Sequence, residues 1–214
     1  KAFRWFNNAL NWLEPETQEQ PTPDELREWL AVPAPFWVYD YETDGINVLD
    51  IGVRCLAIAT PDVDAHGHPT MPYETPAQVA RTIGINIMGT DRIGRRFYSP
   101  SDEEQIKDIL REFFVDETKV KVGHNAGYFD RQVTEHWLGV RPMPTHDTLF
   151  DARFTHPDLP KGLKPTGRRL TDVHKWETSE SGEKNSGSKV SDQERLTYCE
   201  YDTVVNARIT EPLR

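Results

Sequence analysis

An α/β fold with a helical appendage ahead of it is what the sequence predicts, and three observations predict it. The 214 residues supply one core of ordinary size. At Phe36 the spacing of apolar residues changes from helical to strand-like. After a first run of strands, strand and helix patterns alternate, the mark of helices packed on a sheet. These observations divide the chain into an appendage over 1–34 and a main domain over 35–214.

In the appendage, "KAFRWFNNALNWL" sets Phe3, Phe6, Leu10 and Leu13 at helical spacing, with Trp5 and Trp12 widening the stripe. The pattern breaks at "EPETQEQP". A second helix begins in "TPDELREWL", where Thr22 can cap, Pro23 suits the first helical position and Glu25 sits three residues after the cap. "VPAP" ends it. In the main domain "FWVYDYET", "NVLDIGVRCLAIAT" and "GRRFYS" read as three strands, joined by short turns and one long polar insertion over 61–96. His66 and His68 in that insertion are one close pair without a partner cluster, so they read as loop rather than as metal ligands. "SPSDEEQIKDILREFF" is a helix, with Ser101 and Glu104 as a capping box and Ile106, Ile109, Leu110 and Phe113 as its buried stripe. "KVKVG" is a short strand, and a helix carrying Phe129, Val133 and Trp137 follows. The Ser-, Gly- and charge-rich stretch 177–194 has no periodicity and reads as a loop, after which a last helix runs from about 193 to 209.

Composition narrows the function classes. The chain is 36% hydrophobic and 10% aromatic, and no apolar stretch approaches the roughly 20 residues of a membrane span, so no membrane partner is expected. Cys55 and Cys199 are too few and too far apart for a disulfide framework and lie in no C-x-x-C pattern. That points to a reducing, cytoplasmic or similar intracellular compartment and away from zinc. No signal peptide is visible, and a start at lysine with a stop in "ITEPLR" suggests a piece of something longer. The net charge of −10 argues against indiscriminate binding to a polyanion. Local charge differs, since Arg153, Lys161, Lys164, Arg168, Arg169 and Lys175 face only Asp158 and Asp172 between Ala152 and Lys175. Alone, this basic island reads equally as a solvated surface or as a track for phosphates.

Four acids and a tyrosine carry the chemistry. The spacing D-x-E occurs three times, at Asp40/Glu42, Asp102/Glu104 and Asp192/Glu194, and only the first pair follows an apolar strand. Alternate strand residues share a face, so Asp40 and Glu42 present both carboxylates together. The other pairs sit at helix starts, where acids favour the positive end of the dipole. "VGHNAGYFD" ends in Asp130 in the first turn of a helix, which dipole stabilisation would also explain, and Asn125 reads equally as a helix cap. "YCEYD" sets Tyr198 and Asp202 at i and i+4 on one helical face, which a solvated surface would also accommodate. Together the acids mean more. Two unit charges 4 Å apart repel by about 1 kcal/mol in water and about 4 at an effective dielectric near 20. Two divalent cations turn such a cluster into a ligand set, and oxygen donors suit Mg²⁺ or Mn²⁺.

"VYDYET", "HNAGYFD" and "YCEYD" resemble the three exonuclease motifs of the DEDD superfamily, in order and approximate separation, across residues 36–209. The histidine subclass has His five residues before the last Asp, where this chain has Thr197; Tyr198 lies four before it, as in the tyrosine subclass. "HDTLFDARFTHPDLPKGL" is similar to the stretch after the second motif in proofreading domains of family A DNA polymerases, particularly phage-type ones. The Ser/Gly-rich loop and the 61–96 insertion have no counterpart in this resemblance.

The resemblance implies an RNase H-like mixed β-sheet flanked by helices, with the acids at its centre. It implies that Asp40, Glu42, Asp130 and Asp202 hold two divalent cations, with Asp40 bridging, and that Tyr198 aligns the attacking water. Thr43 and Asn125 would hold the terminal nucleotide, and Phe129 would belong to the core or face the last base. Arg153, Lys161, Lys164, Arg168 and Arg169 would follow the backbone of the strand. The expected activity is 3′→5′ hydrolysis of single-stranded DNA ends in proofreading. Its polymerase domain would lie in the same longer chain or in a separate subunit, phage-encoded if the likeness extends that far. Two alternatives stand beside it: an RNase D-like 3′→5′ exoribonuclease, and an inactive nuclease-like module that serves as a scaffold.

Overall fold

The computed structural model describes residues 16–61, 81–89, 94–171, 173 and 190–213. In chain order the elements are β1 (Glu16–Glu19), α1 (Pro23–Ala31), β2 (Trp37–Thr43), a 3₁₀ turn (Val48–Asp50), β3 (Val53–Thr60) and β4 (Arg81–Asn86). There follow α2 (Pro100–Val115), β5 (Lys121–Gly123), α3 (Asp130–Leu138), β6 (Thr145–Asp147), α4 (Thr148–Thr155), α5 (Leu163–Leu170) and α6 (Asp192–Leu213). The strands form one six-stranded sheet in the order β1-β4-β3-β2-β5-β6. β2, β3 and β4 are antiparallel neighbours, whereas β1 runs parallel to β4 and both β5 and β6 run parallel to β2. This is the mixed sheet flanked by helices that the motif resemblance implies.

Alternation along β2 sets up two faces. Trp37, Tyr39 and Tyr41 pack with Leu26, Trp29 and Leu30 of α1, Ile106, Leu110, Phe113 and Phe114 of α2, and Val133 and Leu138 of α3. Edge-to-face contacts such as Tyr39–Phe114, with centroids 5.1 Å apart, hold that side. Val38 packs on the other face against Val204 and Ala207 of α6, while Ala152 of α4 and Leu163 and Leu170 of α5 pack on the far side of that helix. Among the described residues no helix is long and apolar enough to cross a membrane.

Several elements differ from the sequence expectation. The third strand of the meander is β4, inside the stretch 61–96 read as an insertion, while "GRRFYS" contributes only the isolated bridge Met88–Arg96. Ile83, Ile85 and Ile87 explain this, since they alternate into the main core at 1% exposure or less. Their neighbour Gly84 faces α6, where a Cβ would collide with the Glu200 carboxyl. "ETQE", read as part of a break, is the edge strand β1. Gln20 prolongs its pairing: its amide donates to Asn86 O at 3.2 Å and accepts from Asn86 N–H at 3.1 Å. α1 carries the expected capping box, with Glu25 N–H donating to Thr22 Oγ1 and Thr22 N–H donating to Glu25 Oε2. α2 begins two residues earlier than read, because Ser99 is the cap and Pro100 takes the first helical position. Pattern reading left β6, α4 and α5 unassigned. The helix expected over residues 1–13, His66 and His68, Lys175 and most of the 177–194 loop lie outside the described residues.

Candidate metal centre and active site

The face of the sheet covered by α6 is where β2 delivers its acids, since Asp40 and Glu42 share the side of Val38. The ladder register shifts between Glu42 and Thr43, so the strand ends its regular pairing at the second acid. α6 starts in a capping box, Ser191 with Glu194, and carries Arg195, Tyr198 and Asp202 along one stripe. Carboxylate oxygens of Asp40, Glu42 and Asp202 lie within 4.8 Å of one another, and all three residues are half-buried. Asp130, 5% exposed, enters from the first turn of α3 and accepts a hydrogen bond from Tyr41 N–H at 3.3 Å. That bond fixes it beside β2, though outside the tight group of three.

The electrostatics follow from this crowding. Burial pushes Asp40 well above the usual carboxylate range, and the charges of Asp130, Asp202 and Glu42 add to it. Burial, then Asp202, pushes Glu42 up to about 7, with Arg195 and Lys164 pulling the other way. Asp130 is pushed up to about 7 by burial, against the pull of the Tyr41 N–H. A divalent cation among these carboxylates would offset all three shifts by favouring their charged forms, and hard carboxylate oxygens are the donors that Mg²⁺ and Mn²⁺ prefer. Neither His nor Cys belongs to the group of three. Cys199 touches it from below, its Sγ 3.3 Å from Asp40 O and 3.6 Å from Asp40 Oδ2, as a weak donor. Tyr198 is hydrogen-bonded to Asp202, and burial followed by the charges of Asp202 and Glu42 drives its hydroxyl pKa far upward. It therefore stays protonated, an O–H donor rather than a base.

The remaining sequence candidates fall into two sets. Lys164 comes to the acids, its Nζ 5.0 Å from the centre of the Tyr198 ring. Phe129 is half-buried against the main core, where it opens α3. Asn125 is exposed in the neighbouring loop with φ +68°, and it takes the N–H groups of Tyr128 and Phe129 on its carbonyl instead of capping α3 with its side chain. Thr43 Oγ1 donates to Gly45 O at 2.6 Å. Lys161 and Arg169 are turned onto carbonyls of their own segment, Pro157 for the first and Pro160 and Pro165 for the second. Arg153 lies over the exposed ring of Phe150, 5.6 Å from its centre, and Arg168 is half-buried on α5.

Sequence reading passed over Arg195, Cys199 and Asp147. Arg195 sits three residues before Tyr198 on the same helical stripe, a spacing that would have found it. Asp147 stands immediately before a helix, as a capping residue does. No sequence pattern marks Cys199.

Solved structures share this architecture. Brucella melitensis NrnC with bound Mg²⁺ is 20% identical, with a TM-score of 0.56 over 94% of this chain and 80% of that one. Escherichia coli RNase D, an exoribonuclease involved in structured RNA processing, is 16% identical, with a TM-score of 0.58 over 92% of this chain and 44% of that one. The catalytic core of RRP6 from Trypanosoma brucei is 13% identical, with a TM-score of 0.62 over 97% of this chain and 51% of that one. At these identities the likeness establishes the fold. No curated protein matches the sequence. A sequence profile of 3′-5′ exonucleases matches residues 70–214, which takes in Asp130, Tyr198 and Asp202 and begins beyond Asp40 and Glu42. With two thirds of its length in that match and the first two acids folded against the last, the chain belongs to the 3′-5′ exonuclease family.

Proposed function

We propose that this exonuclease is divalent-metal dependent, belongs to the tyrosine subclass, and removes nucleotides from single-stranded DNA 3′ ends as the proofreading activity of a DNA polymerase. The meeting of Asp40, Glu42 and Asp202 within 4.8 Å is the observation that carries the reading, because an unneutralised cluster of this kind costs the fold stability. Asp40, Glu42, Asp130 and Asp202 would hold two ions, Mg²⁺ or Mn²⁺. Such a pair supplies an activated water and stabilises charge on the attacking and leaving oxygens. The protonated Tyr198 gives its one O–H to Asp202, so its hydroxyl oxygen would accept from the attacking water and line it up. Lys164 and Arg195 hold positive charge beside Glu42 and would be available to a substrate phosphate. Asn125, Thr43 and Phe129 lie close in sequence to the acids and are the candidates for seating the terminal nucleotide.

RNA is the second reading, and the fold neighbours favour it, since RNase D is an exoribonuclease. A 5′-labelled single strand of DNA and its RNA counterpart, incubated with Mg²⁺ and with Mn²⁺, decide between them. Stepwise shortening of the DNA, lost in Asp40→Ala, is the expected result. Faster shortening of the RNA would turn the assignment to RNA. Equal turnover by Asp40→Ala and the wild type, or no turnover by either, would overturn the catalytic reading and leave the scaffold alternative.

A further inference from the structure

The loop that delivers Asp130 is held by a residue outside the quartet. β5 ends at Gly123, where a Cβ would collide with that of Ala126, so the chain folds back tightly over residues 124–129. Asp147, at the end of the neighbouring strand and paired in register with Gly123, reaches across this loop. Its Oδ1 accepts from Asn125 N–H at 2.9 Å and from Leu149 N–H at 2.9 Å, and its Oδ2 accepts from Gly127 N–H at 3.1 Å. The side chain is 9% exposed, so water competes little for these bonds. The Asn125 bond falls on the residue that adopts a left-handed backbone. The next residue extends the connection: Thr148 Oγ1, fully buried, donates to Asn206 Oδ1 at 2.6 Å, and Asn206 lies one helical turn beyond Asp202 on α6. One dipeptide thus ties the loop leading to Asp130 to the helix carrying Asp202.

We propose that Asp147 is a positioning residue for the metal-binding acids: by clamping the backbone of residues 125–127 it sets where Asp130 stands relative to Asp202. The inference rests on the metal-dependent reading above. The competing explanation is that Asp147 only caps α4 through Leu149 N–H. Asp147→Ser separates the two, because a serine hydroxyl can still cap the helix but cannot also reach Asn125 and Gly127. Asp147→Asn keeps an acceptor for Asn125 and Leu149 while turning an NH₂ toward Gly127 N–H.

The full chain is the material for the test. Mn²⁺ binding is measured by electron paramagnetic resonance, amide exchange over residues 123–131 by mass spectrometry, and folding by circular dichroism. Expected for Asp147→Ser are a native spectrum, faster exchange in that loop, and Mn²⁺ binding weakened on the order of 10- to 100-fold. Asp147→Asn should lose less, and it decides the matter if the serine variant does not fold. Unchanged Mn²⁺ affinity in a folded variant, whatever its melting temperature, would overturn the proposal. A wild type that binds Mn²⁺ but shortens no nucleic acid would overturn the nuclease reading while leaving the positioning role intact.

Discussion

Asp40 is the residue on which stability and the proposed metal binding pull in opposite directions. It stands on the central strand among three other acids, and each like-charge pair near 4 Å repels by about 1 to 4 kcal/mol depending on the local dielectric. Removing it should therefore help the metal-free fold. In chelator at pH 8, Asp40→Ala is expected to melt several degrees above the wild type, since 1 kcal/mol moves the midpoint by about 2–4 °C in a domain of this size. Adding Mn²⁺ should raise the wild type and leave the variant where it was. A variant that melts lower in chelator would show that Asp40 has a structural role. The acids were readable in the sequence because each follows a local rule: two alternate on a strand tip, one opens a helix, one lies a turn after a tyrosine. The clamp by Asp147 was not, because beyond its place as a helix cap its partners are backbone N–H groups of a loop about 20 residues away, and a backbone group leaves no trace in residue identity.

Apolar spacing carried some elements into the sequence expectation and not others: β4, although Ile83, Ile85 and Ile87 alternate into the core, lies in the stretch read as an insertion. β2, α2 and α3 were found from their apolar spacing, and α6 lies where the last helix was read. β1 is polar throughout and exists through main-chain pairing with β4 and the Gln20 amide, which no periodicity records. β5 illustrates a different limit. Its first residue, Lys121, is fully buried, with Nζ donating to Asp116 O and to Met143 O at 2.7 Å, so a lysine joins the turn after α2 to the approach to β6. Burial draws its pKa down to about 8. Between about 8 and the unfolded value of 10.5 the unfolded chain binds the extra proton and the folded chain does not, so stability gains as pH rises through that window. Below pH 8 both states are charged and the cost of burial stands in full. Urea unfolding of the wild type and Lys121→Met should accordingly show the difference shifting toward the wild type from pH 8 to pH 10, by on the order of 1 kcal/mol. A difference independent of pH would mean that the ammonium is solvated.

Across the whole molecule, charge is divided between an acidic body and the basic stretch of α4 and α5 that packs on α6. If the strand runs over those helices, neutralising Arg153 and Arg168 together should weaken binding of a labelled single strand. It should also flatten the logarithmic salt slope by about 0.7 for each phosphate deprived of its cation, with Mn²⁺ affinity unchanged. An unaltered slope would take both arginines off the path. The order in which the chain contributes its acids has a consequence of its own. The aspartate and glutamate of the central strand are made early, the aspartate of α3 midway, and the last aspartate only on the final described helix, which must lie down across the finished sheet to meet them. A nascent chain thus lacks the last aspartate and a partly unravelled one holds the four acids apart, so under the proposed reading neither could cut. On that reading, cleavage would begin only once folding is complete.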